Sequence, residues 1–187
     1  TLLEELELYD NRIRVIENLG HLTNMVYLDL SFNRIKEIHG LDSLVNLKKL
    51  YVSSNRIRKI ENLDKLVNLE VLDVGDNKIR SIENVSHLVN MTQFYAAKNK
   101  LISLKAGEFD IAESYRLSGQ FHLEFGGLET LTELEELYLQ QNQVKSFEGL
   151  HNNHKLETID LAVNKLTKFE HLDHLGDVLK ELWLNWN

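Results

Sequence analysis

An asparagine returns every 22 residues along this chain, at Asn11, Asn33, Asn55, Asn77 and Asn99, and the same spacing separates Asn142 from Asn164. Each closes the pattern Leu-x-x-Leu-x-Leu-x-x-Asn and opens Asn-x-Ile-x-x-Ile-Glu-Asn-Leu. The clearest copy runs through Leu47, Leu50, Val52, Asn55, Ile57, Ile60, Glu61, Asn62, Leu63 and Leu66. A unit this short cannot enclose a core of its own. It buries its apolar slots against the units on either side, so the chain must stack into an elongated coil. Such a coil has no central pocket, and function falls to its long exposed face.

In register, the spacing gives nine ladder positions: 11, 33, 55, 77, 99, 120, 142, 164 and 187. Three apolar residues precede each, as in Met25, Leu28 and Leu30 or Leu156, Ile159 and Leu161. Strand side chains alternate faces, so the two residues of Leu-x-Leu point into the core and the x between them points to solvent. After the asparagine, apolar residues stand at +2 and +5, then leucine at +8 and +11, as in Leu63 and Leu66. About seven apolar slots per unit, each worth ~1.5–3 kcal/mol on burial, offset the entropy of ordering one coil. The asparagine amide both donates and accepts, so it can satisfy turn backbone groups that no strand partner reaches. This is the pattern of a leucine-rich repeat solenoid. The expectation is an α/β fold with a parallel concave β-sheet, short helical or 3-10 convex returns, a right-handed coil of about nine repeats, and one domain over 1–187.

Two places break the register. Asn99 and Asn142 are 43 residues apart, one short of two periods, and the best fit puts Gln120 in a ladder slot behind Ala112, Tyr115 and Leu117. The irregular repeat then covers about 105–125, with Phe109 or Ile111 supplying the missing leucine. One residue is added near Leu175-Gly176-Asp177, where glycine tolerates an altered turn. Thr1 enters in mid-repeat and Asn187 stops on a ladder position without polar capping units, which predicts a segment of a longer array.

Composition narrows the function classes. The chain has no cysteine, which excludes a disulfide framework, a thiolate metal site and a cysteine nucleophile, and points to a reducing, intracellular compartment. A formal charge of −8 weighs against general nucleic-acid binding, which depends on Lys and Arg neutralising phosphates. No apolar run suits a membrane span or a signal peptide. The sequons at Asn84 and Asn90 therefore read as unused. His21, His87 and His174 recur at one convex position as duplicated scaffold, and the pairs His151/His154 and His171/His174 lack the acidic or cysteine ligands of a zinc motif. No phosphate loop, nucleophile elbow or catalytic carboxylate pair stands out. The expectation is a chain that is not an enzyme, with no metal and no cofactor.

The outward strand centres, four residues before each ladder slot, read Glu7, Asp29, Tyr51, Asp73, Tyr95, Arg116, Tyr138, Asp160 and Trp183. Strands ~4.8 Å apart would set these in one line roughly 40 Å long. Beside it run Glu5, Tyr27, Lys49, Val71, Gln93, Ser114, Glu136, Thr158 and Glu181. Carboxylates keep a sheet face soluble, but four large aromatics on one exposed column exceed what solubility requires. Exposed Tyr and Trp are enriched at binding hot spots, and an acidic column selects a partner that is basic where it touches.

Beyond the consensus, Leu6-Glu7-Leu8-Tyr9-Asp10-Asn11, Leu28-Asp29-Leu30-Ser31-Phe32-Asn33, Glu136-Leu137-Tyr138-Leu139 and Phe147-Glu148-Gly149-Leu150-His151-Asn152-Asn153 resemble, in order and register, the protein phosphatase 1 regulatory subunit 7 family. The resemblance covers nearly the whole chain and departs over Lys105 to Phe125. It implies a non-catalytic, otherwise monomeric scaffold of nucleus and cytoplasm that binds the protein phosphatase 1 catalytic subunit through its concave face. Carried over by position, the binding residues are Asp29, Tyr51, Asp73, Tyr95, Asp160, Glu181 and Trp183, to which the column adds Tyr138. Tyr51 and Tyr95 replace phenylalanine in the family, and Asp73 replaces glutamate. No short basic-Val-x-Phe docking motif occurs: Val144-Lys145-Ser146-Phe147 has the wrong spacing, and its Val and Phe hold core slots. The alternative is another interaction module of the same subclass, of axonemal dynein-associated or spliceosomal type.

Overall fold

The computed structural model describes residues 2–105 and 127–187. Eight three-residue strands form one parallel sheet in chain order: β1 (Glu5–Glu7), β2 (Tyr27–Asp29), β3 (Lys49–Tyr51), β4 (Val71–Asp73), β5 (Gln93–Tyr95), β6 (Glu136–Tyr138), β7 (Thr158–Asp160) and β8 (Glu181–Trp183). The parallel solenoid expected from the periodicity is present. Its convex returns take the 3-10 alternative of the expectation, not the helical one. Among the described residues they hold turns and two 3-10 segments, Leu128–Thr130 and Asp173–Leu175, and no α-helix. The physical reason is length, since the few residues between the +8 leucine and the next strand leave no room for a stable helix.

The apolar slots predicted at each repeat make one continuous core, in which Leu50, Ile57, Ile60, Leu63, Leu66 and Leu69 are all fully buried. The asparagines stitch neighbouring coils. Asn55 Nδ2 donates to the carbonyls of Val52 and Ser53 in its own turn and of Leu30 in the preceding repeat, while its Oδ1 accepts the Ile35 N–H at 2.9 Å. Asn33, Asn77 and Asn164 repeat this set.

Two left-handed positions also recur among the described residues. One precedes the ladder asparagine, as at Phe32, Ser54, Asp76 and Lys98, with φ between 48 and 55° at these four. Side chains tolerate that conformation here because the same residue's N–H is locked to the next coil, as in Ser54 N–H to the Gly75 carbonyl at 2.8 Å. The other stands at +7, where the repeat carries Asn18, Gly40, Asn62, Asn84, Gly149 or His171. Asparagine suits the site doubly: it tolerates positive φ, and the Asn62 amide donates to the Ile38 carbonyl at 2.6 Å. At Gly40 a Cβ would lie 2.9 Å from the Ile16 carbonyl oxygen.

The irregular interval overturns the sequence reading. Strand β5 pairs directly with β6, with Gln93 opposite Glu136 and Tyr95 opposite Tyr138. The stitch skips in step, because Leu101 N–H donates to Asn142 Oδ1 at 2.9 Å and Asn142 Nδ2 donates to the Ala96 carbonyl at 3.0 Å. Leu101 and Leu104 share one coil with Leu128, Leu131 and Leu134, all fully buried, and the Leu128 N–H meets the Leu104 carbonyl. The 43-residue interval is therefore one complete period with 21 residues inserted at its +7 corner, not two periods with a deletion. Gln120, Phe109, Ile111, Ser114 and Arg116, assigned above to this unit, lie outside the described residues. β5 and β6 are direct neighbours in the sheet, so the array has eight ladder positions among the described residues instead of nine.

Candidate functional site

The register of the sheet sets Glu7, Asp29, Tyr51, Asp73, Tyr95, Tyr138, Asp160 and Trp183 side by side. Seven steps of ~4.8 Å give a line of roughly 34 Å, shorter than expected because the Arg116 step is missing. Glu181 lies in the parallel column, opposite Thr158. Trp183 is 54% exposed, whereas Tyr51, Asp73, Tyr95, Tyr138 and Asp160 are half-buried among their neighbours.

The acids have a local duty that the spacing did not reveal. Asp29, Asp73 and Asp160 each accept, through Oδ1, the backbone N–H two residues on, from Ser31, Gly75 and Ala162 at 2.8, 2.8 and 2.9 Å. These carboxylates hold the strand-ending turn with one oxygen. Residue type carries the signal, since the short Asp carboxylate reaches the backbone N–H two residues on. Desolvation raises the Asp73 carboxyl above the usual aspartate range, partly offset by the Gly75 and Ser53 hydrogen bonds.

The aromatics form two clusters. Tyr27 and Tyr51 pack with ring centroids 5.4 Å apart, tilted by 42°. Tyr95 and Tyr138 stack at 4.9 Å with an interplanar angle of 5°. The second pair exists only because β5 meets β6; the sequence register had a whole strand between them. The Tyr95 hydroxyl donates to Glu136 Oε2 at 3.1 Å, and Gln93 Nε2 donates to Glu136 Oε1 at 3.0 Å. Burial first, then the Glu136 charge and hydrogen bond, push the Tyr95 phenol far above the ordinary tyrosine range. Burial likewise raises Tyr138, with Glu136 and Glu181 adding to it. Tyr27, Gln93 and Glu136 thus join the face from the flanking column that the spacing identified, and strand adjacency brings the last two into contact.

Among the described residues the two outward columns carry seven carboxylates, at Glu5, Glu7, Asp29, Asp73, Glu136, Asp160 and Glu181, against one cation, Lys49. This is an open sheet face with negative potential and flat aromatic surfaces. It offers contact area for docking. Among the described residues no group of three His, Asp or Glu side chains is placed to hold a metal ion.

A family model for leucine-rich repeats, in two copies, matches residues 1–43, 45–88 and 132–174, more than half of the chain. The chain belongs to the leucine-rich repeat family. The match passes over the interval that contains the insertion. This family is typically a non-catalytic interaction module, and its repeats mark the chain as a protein-interaction scaffold. Among solved structures, the functional domain of InlJ from Listeria monocytogenes, which includes a cysteine ladder, is similar in fold at TM-score 0.68 and 23% identity, over 98% of this chain and 40% of that one. The chain thus spans about two fifths of that domain. Internalin C2 from the same organism is similar at TM-score 0.62 and 27% identity, over 86% of this chain and 71% of that one. No curated protein matches the chain.

Proposed function

We propose that this scaffold binds the catalytic subunit of protein phosphatase 1 on its concave face and regulates it, in nucleus and cytoplasm, without catalysis of its own. The observation that carries the reading is the line of acids and rings from Glu7 to Trp183, where among the described residues of the two outward columns seven carboxylates outweigh a single lysine. A partner that is basic at the point of contact gains steering from such a face, and its apolar groups gain area on Tyr51, the Tyr95–Tyr138 stack and Trp183. The resemblance of the strand motifs to the phosphatase regulatory subunits supplies the identity of the partner. Asp29, Tyr51, Asp73, Tyr95, Tyr138, Asp160, Glu181 and Trp183 are the proposed contact residues.

The test is capture of purified phosphatase catalytic subunit by the full chain. Replacing Asp160, Glu181 and Trp183 by Ala should weaken capture by about 2 kcal/mol or more for any true hot spot, with the circular dichroism spectrum unchanged. Absence of binding by the unaltered chain would sink the proposal.

A further inference from the structure

A second surface carries the opposite charge. The residues just after each ladder asparagine, at +1, are Arg12, Arg34, Arg56, Lys78 and Lys100, and those at +3 are Arg14, Lys36, Arg58 and Arg80. The residue between them is a core residue, such as Ile35, Ile57 or Ile79, so +1 and +3 share one outward side. The column is held in register by its own ladder: the N–H groups of Arg34, Arg56, Lys78 and Lys100 donate to the carbonyls of Ile13, Ile35, Ile57 and Ile79, each at 2.8 Å. These nine cations therefore occupy two rows over five adjacent repeats, roughly 19 Å long at ~4.8 Å per step and about 7 Å wide.

No acidic residue stands at +1 or +3 among the described residues. Nor does any described carboxylate lie within ion-pair distance of Arg12, Arg14, Arg34, Lys36, Arg56, Arg58, Lys78 or Lys100. Neighbouring rows are closer than the ~8 Å over which physiological salt screens charge, so the cations repel one another. The ridge is bounded on both sides by acids: Asp10 and Asp76 at −1, Glu17, Glu61 and Glu83 at +6.

We infer that this ridge docks an extended Asp- and Glu-rich segment of a partner protein. Such a segment relieves the repulsion and is narrow enough to lie between the two acidic borders. A duplex or a vesicle surface is broader than the strip and would press against those carboxylates. Single-stranded nucleic acid would want stacking rings, and the two columns hold no aromatic side chain among the described residues. The inference is independent of the concave face and stands or falls without the phosphatase.

The probe is a fluorescent oligoglutamate peptide of about eight residues, long enough at roughly 3.3 Å per residue to span the ridge. Measured by anisotropy with the full chain, it should bind at ~0.05 M salt and weaken at ~0.3 M. The combined change Arg34→Glu, Arg56→Glu and Arg58→Glu should raise the dissociation constant about tenfold or more, and the neutral set Arg34→Gln, Arg56→Gln and Arg58→Gln should fall between. Lys65→Glu, Lys155→Glu and Lys180→Glu together make the same change in net charge away from the ridge and should leave binding within about twofold. Failure of the peptide to bind would overturn the inference, as would equal weakening by the two Glu triples. So would tighter binding of an oligothymidylate of matched length or of phosphatidylserine vesicles.

Discussion

The molecule joins one coil to the next in two ways. From β1 to β5, and again from β6 to β8, the corner at +7 is a single residue, Asn18, Gly40, Asn62, Asn84, Gly149 or His171, each in the left-handed region. Between β5 and β6, residues 106–126 intervene between Lys105 and Gly127. Yet the stitch is the same in both: Ile57 N–H to Asn77 Oδ1 and Leu101 N–H to Asn142 Oδ1 both measure 2.9 Å. Adjacency in this sheet is decided by matching amides and buried leucines, while continuity of the chain is optional. The strained corner is the natural place to insert, because among the described residues it carries no core residue and its only bonds to the neighbouring coil are side-chain ones, as from Asn62 and Asn84.

The largest test of this equivalence is Asn142→Ala beside Asn77→Ala. Each removes amide bonds to buried backbone groups, Leu101 N–H, Ala96 carbonyl and Leu139 carbonyl in the first case. Each should cost about 3 kcal/mol or more in urea unfolding. A much smaller loss at Asn142 would show the junction to be looser than the regular array. Next comes Tyr95→Phe, which keeps the ring stack and deletes the hydroxyl bond to Glu136, at a cost of about 1 kcal/mol at neutral pH. The sign of its pH dependence follows from the raised phenol. Above pH ~10 the unfolded tyrosine loses its proton while the folded one retains it, so Tyr95 makes the fold less stable as pH rises. Alkaline denaturation should therefore begin at higher pH in the Phe variant.

Deleting 106–126 should change stability by only about 1 kcal/mol, since loop-closure entropy varies slowly with length. It joins Leu104-Lys105 to Gly127-Leu128, the spacing of Ile38-His39-Gly40-Leu41. Retention of one cooperative transition would confirm that the insertion is external to the array, and unfolding would refute it. The smallest effect belongs to Asp73→Asn, where the amide oxygen can still accept the Gly75 N–H. Because burial raises the folded carboxyl above 3.8, the charged form costs stability at neutral pH, and that cost fades as pH falls through the folded value. The variant should gain less than about 1 kcal/mol at pH ~7, with the difference vanishing near pH ~3, followed by thermal melts.

Much of the fold was legible because the period is local. Leu50, Ile57 and Leu63 reveal their burial through spacing alone, and Asn55 declares its role by recurring where a turn needs an amide. The outward column was legible for the same reason, since strand alternation fixes which side Tyr51 and Asp73 take. The junction was not. A 43-residue interval lies one residue from two periods, and counting cannot tell a shortened repeat from an insertion.

Sequence alone determined the repeat, the core slots and which residues leave the coil, because each follows from bonding geometry within 22 residues. Only the tertiary structure decided which coils touch. It laid Tyr95 on Tyr138, gave Glu136 its two partners and closed Leu104 onto Leu128. Those contacts join residues 24 to 43 apart, and whether the intervening chain builds a coil or leaves the stack is settled by packing against both neighbours at once.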